Sequence, residues 1–379
     1  MIEETFNRRE TRENMKLLMV APFDANGRYK GGIFAIANDV IHAEDELRKN
    51  ELEILPFNTC RVQREAGSDG KLNISNLKNL FKVYFDLPKE IKSNSPDVLY
   101  FHTSRGIPLV KDLIILNRAK KKTGVKTVLH IHFADYEKIM TGKSFFDMFI
   151  LRSLKKNVDK IVFLSSKTRD AFVEHGIESE KCNVIYNFST LQFTNEEIQT
   201  KLDRQGALRF LFVGSVDQRK GLFDVLEILK DSDRNFEITV CGGVGTEEDR
   251  VRFEEYQKAY GEKLNFLGYV SGEEKRRVFL ESDVLLLPSY GEGLPIVIVE
   301  ALTAGCAVLT SDVGAIPEIV TEKNGTVITA GNKEQIRNGL AFYLQEDRSV
   351  LREQQKFNFE NSGVYSLEMF IKHMADACK

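Results

Sequence analysis

The 379-residue chain has little of what marks secreted, zinc-binding or membrane-spanning proteins. Its five cysteines, Cys60, Cys182, Cys241, Cys306 and Cys378, are scattered, odd in number and never spaced C-x-x-C. That pattern argues against a disulfide framework or a zinc site and for reduced thiols in a cytoplasmic protein. No apolar run approaches the ~20 residues that a bilayer-crossing helix needs. The first fourteen residues, MIEETFNRRETREN, are charged throughout and contain no apolar h-region, which excludes a signal peptide. They read as a flexible leader, 1–14, with Met15 a candidate start. No G-x-G-x-x-G occurs, so the dinucleotide fingerprint is absent. A strong charge imbalance is lacking as well: the net charge is −3, and neither it nor any motif supports nucleic-acid binding.

What is present is an ordinary globular composition, 42% hydrophobic and 29% charged, on a chain long enough for two domains. The halves differ in sign: residues 1–200 carry +4 and the remainder −7. The basic excess sits in VKDLIILNRAKKKTGVKTVLH (110–130) and KSFFDMFILRSLKKNVDK (143–160). It suits an anionic acceptor or a membrane surface, although two helices with solvated lysine faces describe it better.

Two stretches share one rhythm of short β-rich apolar runs alternating with amphipathic helices. The first holds KLLMVAP (16–22), LEILPF (52–57), DVLYFHT (97–103), KTVLHIH (126–132), KIVFLSS (160–166) and NVIYN (183–187). The second holds LRFLFVGS (208–215), FEITVCGG (236–243), NFLGYV (265–270), DVLLLPS (283–289), CAVLTSD (306–312) and GTVIT (325–329). Such alternation predicts an α/β protein with two doubly wound parallel-sheet domains, 15–188 and 207–355, joined by a polar linker, 189–206. Open parallel sheets bind ligands beyond the carboxyl ends of their strands, so two facing domains would share one central cleft.

The chemistry is therefore sought in loops that follow strands. After the first strand, FDANGRYKGG (23–32) brings Gly31 and Gly32 to a helix start, where backbone N–H groups can meet an anion. The loop is not a Walker A motif, and a plain turn explains the glycines equally well. In VLHIHFADY (128–136), His130 and His132 alternate onto one face at a strand end. They read as core histidines or as a metal pair for which the sequence shows no third ligand nearby. His132 is the one placed to reach the cleft, beside His102, Ser104 and Arg105 of FHTSRG (101–106). In the second domain, FVGSVDQRKGLFDVL (212–226) sets Arg219 and Lys220 before Gly221 and a helix, a good pyrophosphate arrangement. Finally, YGEGLPIVIVEALTAG (290–305) carries Glu292 in a turn and Glu300 inside an apolar helix. Desolvating a lone carboxylate is costly, so Glu300 needs a hydrogen-bonding partner, and a sugar or ribose diol is apt.

The E-x7-E segment 292–300, with LLLPSYGEGLP before it and EALTAGCAVLTSDVGAIPEIV (300–320) after it, resembles the retaining glycosyltransferases of family 4. VGSVDQRKG, FLGYVSGEEKRRVFLESDVLLLPS, KIVFLSSKTRDAF and NVIYNF share the resemblance, which covers most of 15–345 and is densest in the second domain. It implies a GT-B fold of two Rossmann-like domains, the N-terminal one for the acceptor and the C-terminal one for a nucleotide-sugar. It further implies a C-terminal helix within 356–379 that crosses back to the first domain. By the same resemblance Glu292 contacts donor-sugar hydroxyls with the N–H groups of Gly293 and Leu294, and Glu300 binds the ribose diol. Lys220 neutralises the diphosphate, which Gly31 and Gly32 approach from the other domain. The base lies near Tyr269 and Val270, and His132 contacts the donor sugar. The family often has an arginine where this chain has Ser215; Arg219 is a candidate substitute for that charge.

The leaving group implied is a nucleoside diphosphate, UDP or GDP, whose departure needs charge stabilisation more than a protein nucleophile. Lys220, the glycine loop and helix N-termini offer that without a metal or other cofactor, and no D-x-D is placed for one. The family's usual route is front-face, with retention. The implied partners are a nucleotide-sugar and a carbohydrate or lipid-linked acceptor, in surface-polysaccharide assembly. Phe145, Phe146 and Phe149 with Lys156 suggest a membrane-proximal acceptor at the cytoplasmic face, against the reading of an ordinary packing helix. A nucleotide-sugar epimerase and a non-catalytic nucleotide-sugar-binding subunit are the rival readings.

Overall fold

The structure, a computed structural model, describes residues 14–23, 31–59, 74–134 and 144–379. In the N-terminal half the order is β1 (Met15–Ala21), α1 (Gly32–Ile41), α2 (Glu44–Lys49), β2 (Leu52–Asn58), α3 (Ile74–Asn94) and β3 (Val98–Thr103). Then follow α4 (Ile107–Thr123), β4 (Lys126–Ile131), α5 (Phe145–Asn157), β5 (Lys160–Phe163), α6 (Ser166–Glu174) and β6 (Cys182–Val184). The C-terminal half continues with α7 (Asn195–Asp203), β7 (Leu208–Val213), α8 (Leu222–Leu229), β8 (Phe236–Cys241), α9 (Glu247–Tyr260) and β9 (Leu264–Gly268). It ends with α10 (Gly272–Glu281), β10 (Val284–Leu287), α11 (Ile296–Thr303), β11 (Ala307–Ser311), α12 (Ile316–Ile319), β12 (Gly325–Ile328), α13 (Lys333–Tyr343), α14 (Ser349–Asn361) and α15 (Leu367–Cys378).

These strands form two six-stranded parallel sheets, ordered β2-β1-β3-β4-β5-β6 and β12-β11-β10-β7-β8-β9. Both are the doubly wound α/β sheets expected. Period-two alternation explains why their strands read as continuous apolar runs: each face is covered by helices. In β1, Leu18 and Val20 join one core with α3, α4 and α5, while Leu17, Met19 and Ala21 join another with α1, α2 and α15. The strand order reverses between β1 and β3 in the first sheet and between β7 and β10 in the second. A crevice opens beyond the carboxyl ends of the strands at each reversal.

The chain returns to its first domain at its end. Helix α15 buries Phe370, Ile371 and Met374 against Tyr100, Val128 and Val162, completing one face of the N-terminal sheet. The crossing falls at residues 362–365, after α14, not at the expected 355/356 boundary, because α14 runs unbroken to Asn361 and packs on α11 and α7. Residues 189–206 likewise differ from the expected linker. They contain α7, opened by a capping box between Thr194 and Glu197. Lys201 on this helix is buried and donates to the carbonyls of Ala304 (2.6 Å) and Phe279 (3.2 Å), which fastens the segment to the second domain. The leader expected at 1–14 lies, up to residue 13, outside the described residues.

Candidate active site

The two reversal points face each other across a cleft of about 1600 Å³. Its C-terminal wall is made by the loops after β7 and β10. The loop after β7 is short enough that glycine is required at its end: Gly221 has φ +77°, and a Cβ there would lie 2.2 Å from the Pro288 carbonyl oxygen. Asp217 fixes this loop by accepting from the backbone N–H of Lys220 (2.9 Å) and the hydroxyl of Ser215 (2.5 Å). Lys220 is thereby aimed at the opposite loop, where its Nζ donates to Glu292 Oε1 at 2.5 Å. Arg219 is exposed on the cleft rim, and Ser215 lines the wall.

The turn that carries Glu292 ends in Pro295, whose fixed φ suits the start of α11. Gly305, at φ +60°, follows the helix where the left-handed region is needed. Glu300 on α11 is 3% exposed and has a protein partner that the sequence reading missed. Lys275 of α10 donates to its Oε1, while Oε2 is buried and has no hydrogen-bond partner among the described residues. Burial raises the Glu300 carboxyl above its ordinary range and Lys275 opposes that rise. A lysine in VSGEEKRRVF gave no signal of this pairing, since its helix reads as a solvated face. Across the cleft, Asp39 of α1 is also raised by burial, and it senses both Lys275 and Glu300.

The N-terminal wall is built from the ends of β3, β4, β5 and the start of α1. Gly31 is the extended N-cap of α1 with no side chain capping it, so the first N–H groups of this helix open onto the cleft beside Gly32. His132 follows β4, with Ser104, Leu164 and Asn187 near it on the same wall. Its backbone carbonyl lies 3.4 Å from where a Cβ on Gly293 would stand, so the 292–294 turn rests directly on the first domain. Asn187 Nδ2 reaches the same turn, donating to the Leu294 carbonyl at 2.5 Å. Tyr269 and Val270 line the far end of the cleft, and Tyr269 is 63% exposed. Arg105 stacks on Phe133 at 4.4 Å.

The expectation that His130 and His132 have no third partner is overturned. His102, on the neighbouring strand, brings the three ring nitrogens within 4.8 Å of one another. Parallel pairing sets His102 opposite His130, a register that sequence spacing cannot supply. His102 Nδ1 and His132 Nε2 share a hydrogen bond of 2.7 Å, and the His130 and His132 rings stack at 3.9 Å. Tyr100 and His130 are bonded through the phenol and Nδ1 at 3.0 Å. Burial pushes His102 down to about 3, and it lowers His130 and His132 strongly as well. All three are neutral near pH 7. The group could ligate a cation through three imidazole nitrogens. Its plain consequence is that His132 is held by His102 and keeps Nδ1 as the ring nitrogen not engaged in that bond.

The arrangement sets cations, helix starts and carboxylates along one groove, which fits a phosphate-containing sugar ligand. A family model described as Glycosyltransferase Family 4 matches residues 40–192, and one described as Glycosyl transferases group 1 matches residues 194–359. An uncharacterised 41.2 kDa protein in the cps region of Klebsiella pneumoniae is 28% identical over 314 residues, 77% of this chain and 81% of its own length. Alpha-galactosylglucosyldiacylglycerol synthase of Streptococcus pneumoniae is 24% identical over 74% of this chain and 76% of that protein. Among solved structures, Anabaena HepE in complex with UDP-glucose superposes with a TM-score of 0.67 at 16% identity, covering 96% of this chain and 98% of that one. With both halves matched and the two facing sheets in place, the chain is a glycosyltransferase of the GT-B fold.

Proposed function

We propose that the protein transfers a hexosyl group, with retention of anomeric configuration, from a UDP- or GDP-sugar to a carbohydrate or lipid-linked oligosaccharide in bacterial surface-polysaccharide assembly. The observation that carries this reading is the placement of Lys220, Glu292 and Glu300 along one cleft at the reversal point of the second sheet. Glu300, with one buried oxygen unengaged, is the ribose site. Lys220, with Arg219 at the rim and the α1 N-terminus opposite, takes the diphosphate. Glu292, with the N–H groups of Gly293 and Leu294, takes the sugar; Tyr269 and Val270 border the base. His132 meets the sugar from the acceptor side. Lys220 is bonded to Glu292, and in this reading the donor divides the pair between its phosphate and its hydroxyls.

Departure of the diphosphate is stabilised by fixed cations and N–H dipoles, and the reaction in this reading needs no metal or other cofactor. The UDP-glucose complex of HepE supports the donor class, the cps-region relative supports the pathway, and the glycolipid synthase supports a lipid-borne acceptor. The test is a thermal-shift panel of UDP- and GDP-sugars followed by product analysis with and without candidate acceptors. A ligand at about 100 times its Kd stabilises the fold by about 2.7 kcal/mol, a readily visible shift. The reading predicts stabilisation by one nucleotide class and an acceptor-dependent product. Isomerised donor without any acceptor would instead establish an epimerase, and binding with no product under any acceptor would favour a binding subunit.

A further inference from the structure

Glu318, which lies outside the donor wall, makes a set of bonds that donor binding does not require. It sits on α12, in the segment that follows β11. That segment is stacked tightly on the Glu292 turn: Gly314 has φ +60°, and a Cβ there would lie 2.2 Å from the Gly293 carbonyl oxygen and 2.5 Å from that of Glu292. The backbone N–H of Ala315 donates to the Gly293 carbonyl at 2.8 Å. Three residues on, the Glu318 carboxylate leaves its own domain. Its Oε1 accepts from the hydroxyl of Ser165 (2.7 Å) and the backbone N–H of Lys167 (3.1 Å). Its Oε2 accepts from the N–H of Ser166 (2.8 Å) and the hydroxyl of Tyr186 (3.0 Å). All four donors belong to the N-terminal domain.

These bonds place a negative charge on the first turn of α6, where N–H groups lack helical partners and the helix dipole favours an anion. Burial alone would raise the Glu318 carboxyl, but the Ser166 N–H and the Ser165 hydroxyl prevail and hold it below the usual range. Ser165 directly follows Leu164, which lines the cleft and lies 3.6 Å from where a Gly293 Cβ would be. One rigid segment thus touches the donor-sugar turn at its start and the acceptor-side wall at its end. We propose that Glu318 is a positioning residue that registers the acceptor domain against the donor-sugar turn, so that its loss uncouples transfer from nucleotide binding. Its effect on turnover rests on the glycosyl-transfer reading; its effect on domain geometry does not.

The experiment compares wild type, Glu318→Gln and Glu318→Ala in the full chain. UDP and GDP binding are measured by calorimetry, turnover at saturating nucleotide-sugar, and domain arrangement by small-angle X-ray scattering. The expected result is a nucleotide Kd within about twofold of wild type and a turnover lower by roughly ten- to a hundredfold in the alanine variant, the scale of a small misplacement of reacting groups. The glutamine variant, which keeps one acceptor oxygen, falls between, and scattering from the alanine variant reports a longer maximum dimension. Should Glu318→Ala not fold, Glu318→Gln carries the comparison. Scattering identical to wild type with turnover unchanged in either folded variant overturns the proposal, as does a fall in nucleotide affinity equal to the fall in turnover. If wild type binds neither nucleotide, the glycosyl-transfer reading fails, and the scattering comparison still decides the role of Glu318.

Discussion

At the scale of single residues, the most informative pair is Glu300 and Lys275. A buried carboxylate in an apolar helix is sustained by a cation on the preceding helix, while its second oxygen has no partner among the described residues. Removing the cation should change how the site responds to pH. Burial already pushes the Glu300 carboxyl up, and Lys275 is what restrains it. In Lys275→Gln the carboxyl rises further, so the ionised form that accepts hydroxyl protons is lost as pH falls. Nucleotide affinity in that variant should fall more steeply than in the wild type as pH is lowered, by up to about tenfold, in line with one charge-assisted hydrogen bond. Calorimetric titration of UDP and GDP from pH 5.5 to 8.5 reads this directly. An affinity that stays at the wild-type value across the range would mean that Lys275 does not govern Glu300. Asp39, facing both groups from α1, acts in the opposite sense to Lys275 and is best left intact in this comparison.

Among the elements, α5 has a first turn that disagrees with simple packing. Ile150, Leu151 and Leu154 are buried and Phe149 packs partly against the same core, as an ordinary amphipathic helix requires. Phe145 and Phe146, however, are 75% and 63% exposed in its first turn, and Met148 is exposed beside them. Arg152, Lys155 and Lys156 lie along the same helix, and Met148, Leu151 and these three cations border one shallow cavity. Helix α4, packed against α5, adds an exposed Ile107 in its own first turn. Both helices follow strands, so their starts lie at the carboxyl end of the sheet, the end that faces the cleft. Aromatic side chains flanked by cations suit an anionic bilayer surface, each buried phenylalanine contributing about 1.5–3 kcal/mol at most. Replacing both Phe145 and Phe146 by serine should therefore reduce co-sedimentation with vesicles containing anionic lipid by more than tenfold, and high salt should weaken the wild type. Equal sedimentation of the variant and wild type would assign the exposed aromatics no such role.

For the whole molecule, the alternation of strands and helices was enough to anticipate two doubly wound sheets, because strands buried on both faces leave an unmistakable apolar signature. The donor-side loops were equally legible: Lys220 and Glu292 stand in the strand-to-helix turns after β7 and β10, which are neighbours in the sheet, and Glu300 follows on α11, so topology brings all three to one cleft. What the sequence did not disclose depends on pairings between distant segments. Lys275 meets Glu300 only through the packing of α10 on α11, His102 meets His130 and His132 only through strand register, and Glu318 meets Ser165 to Lys167 only across the domain boundary. The segment 189–206 misled for a related reason: its polarity reads as a connector, whereas a capping box and the buried Lys201 tie it down as a helix. The central claim is that the cleft transfers a sugar held at the Glu292 turn, and the turnover of Glu292→Gln at saturating nucleotide-sugar tests it most directly. The account predicts a loss of roughly 100- to 1000-fold in turnover, typical for removal of a group that stabilises the transition state, with the protein folded as before. Turnover within a few-fold of wild type would contradict it.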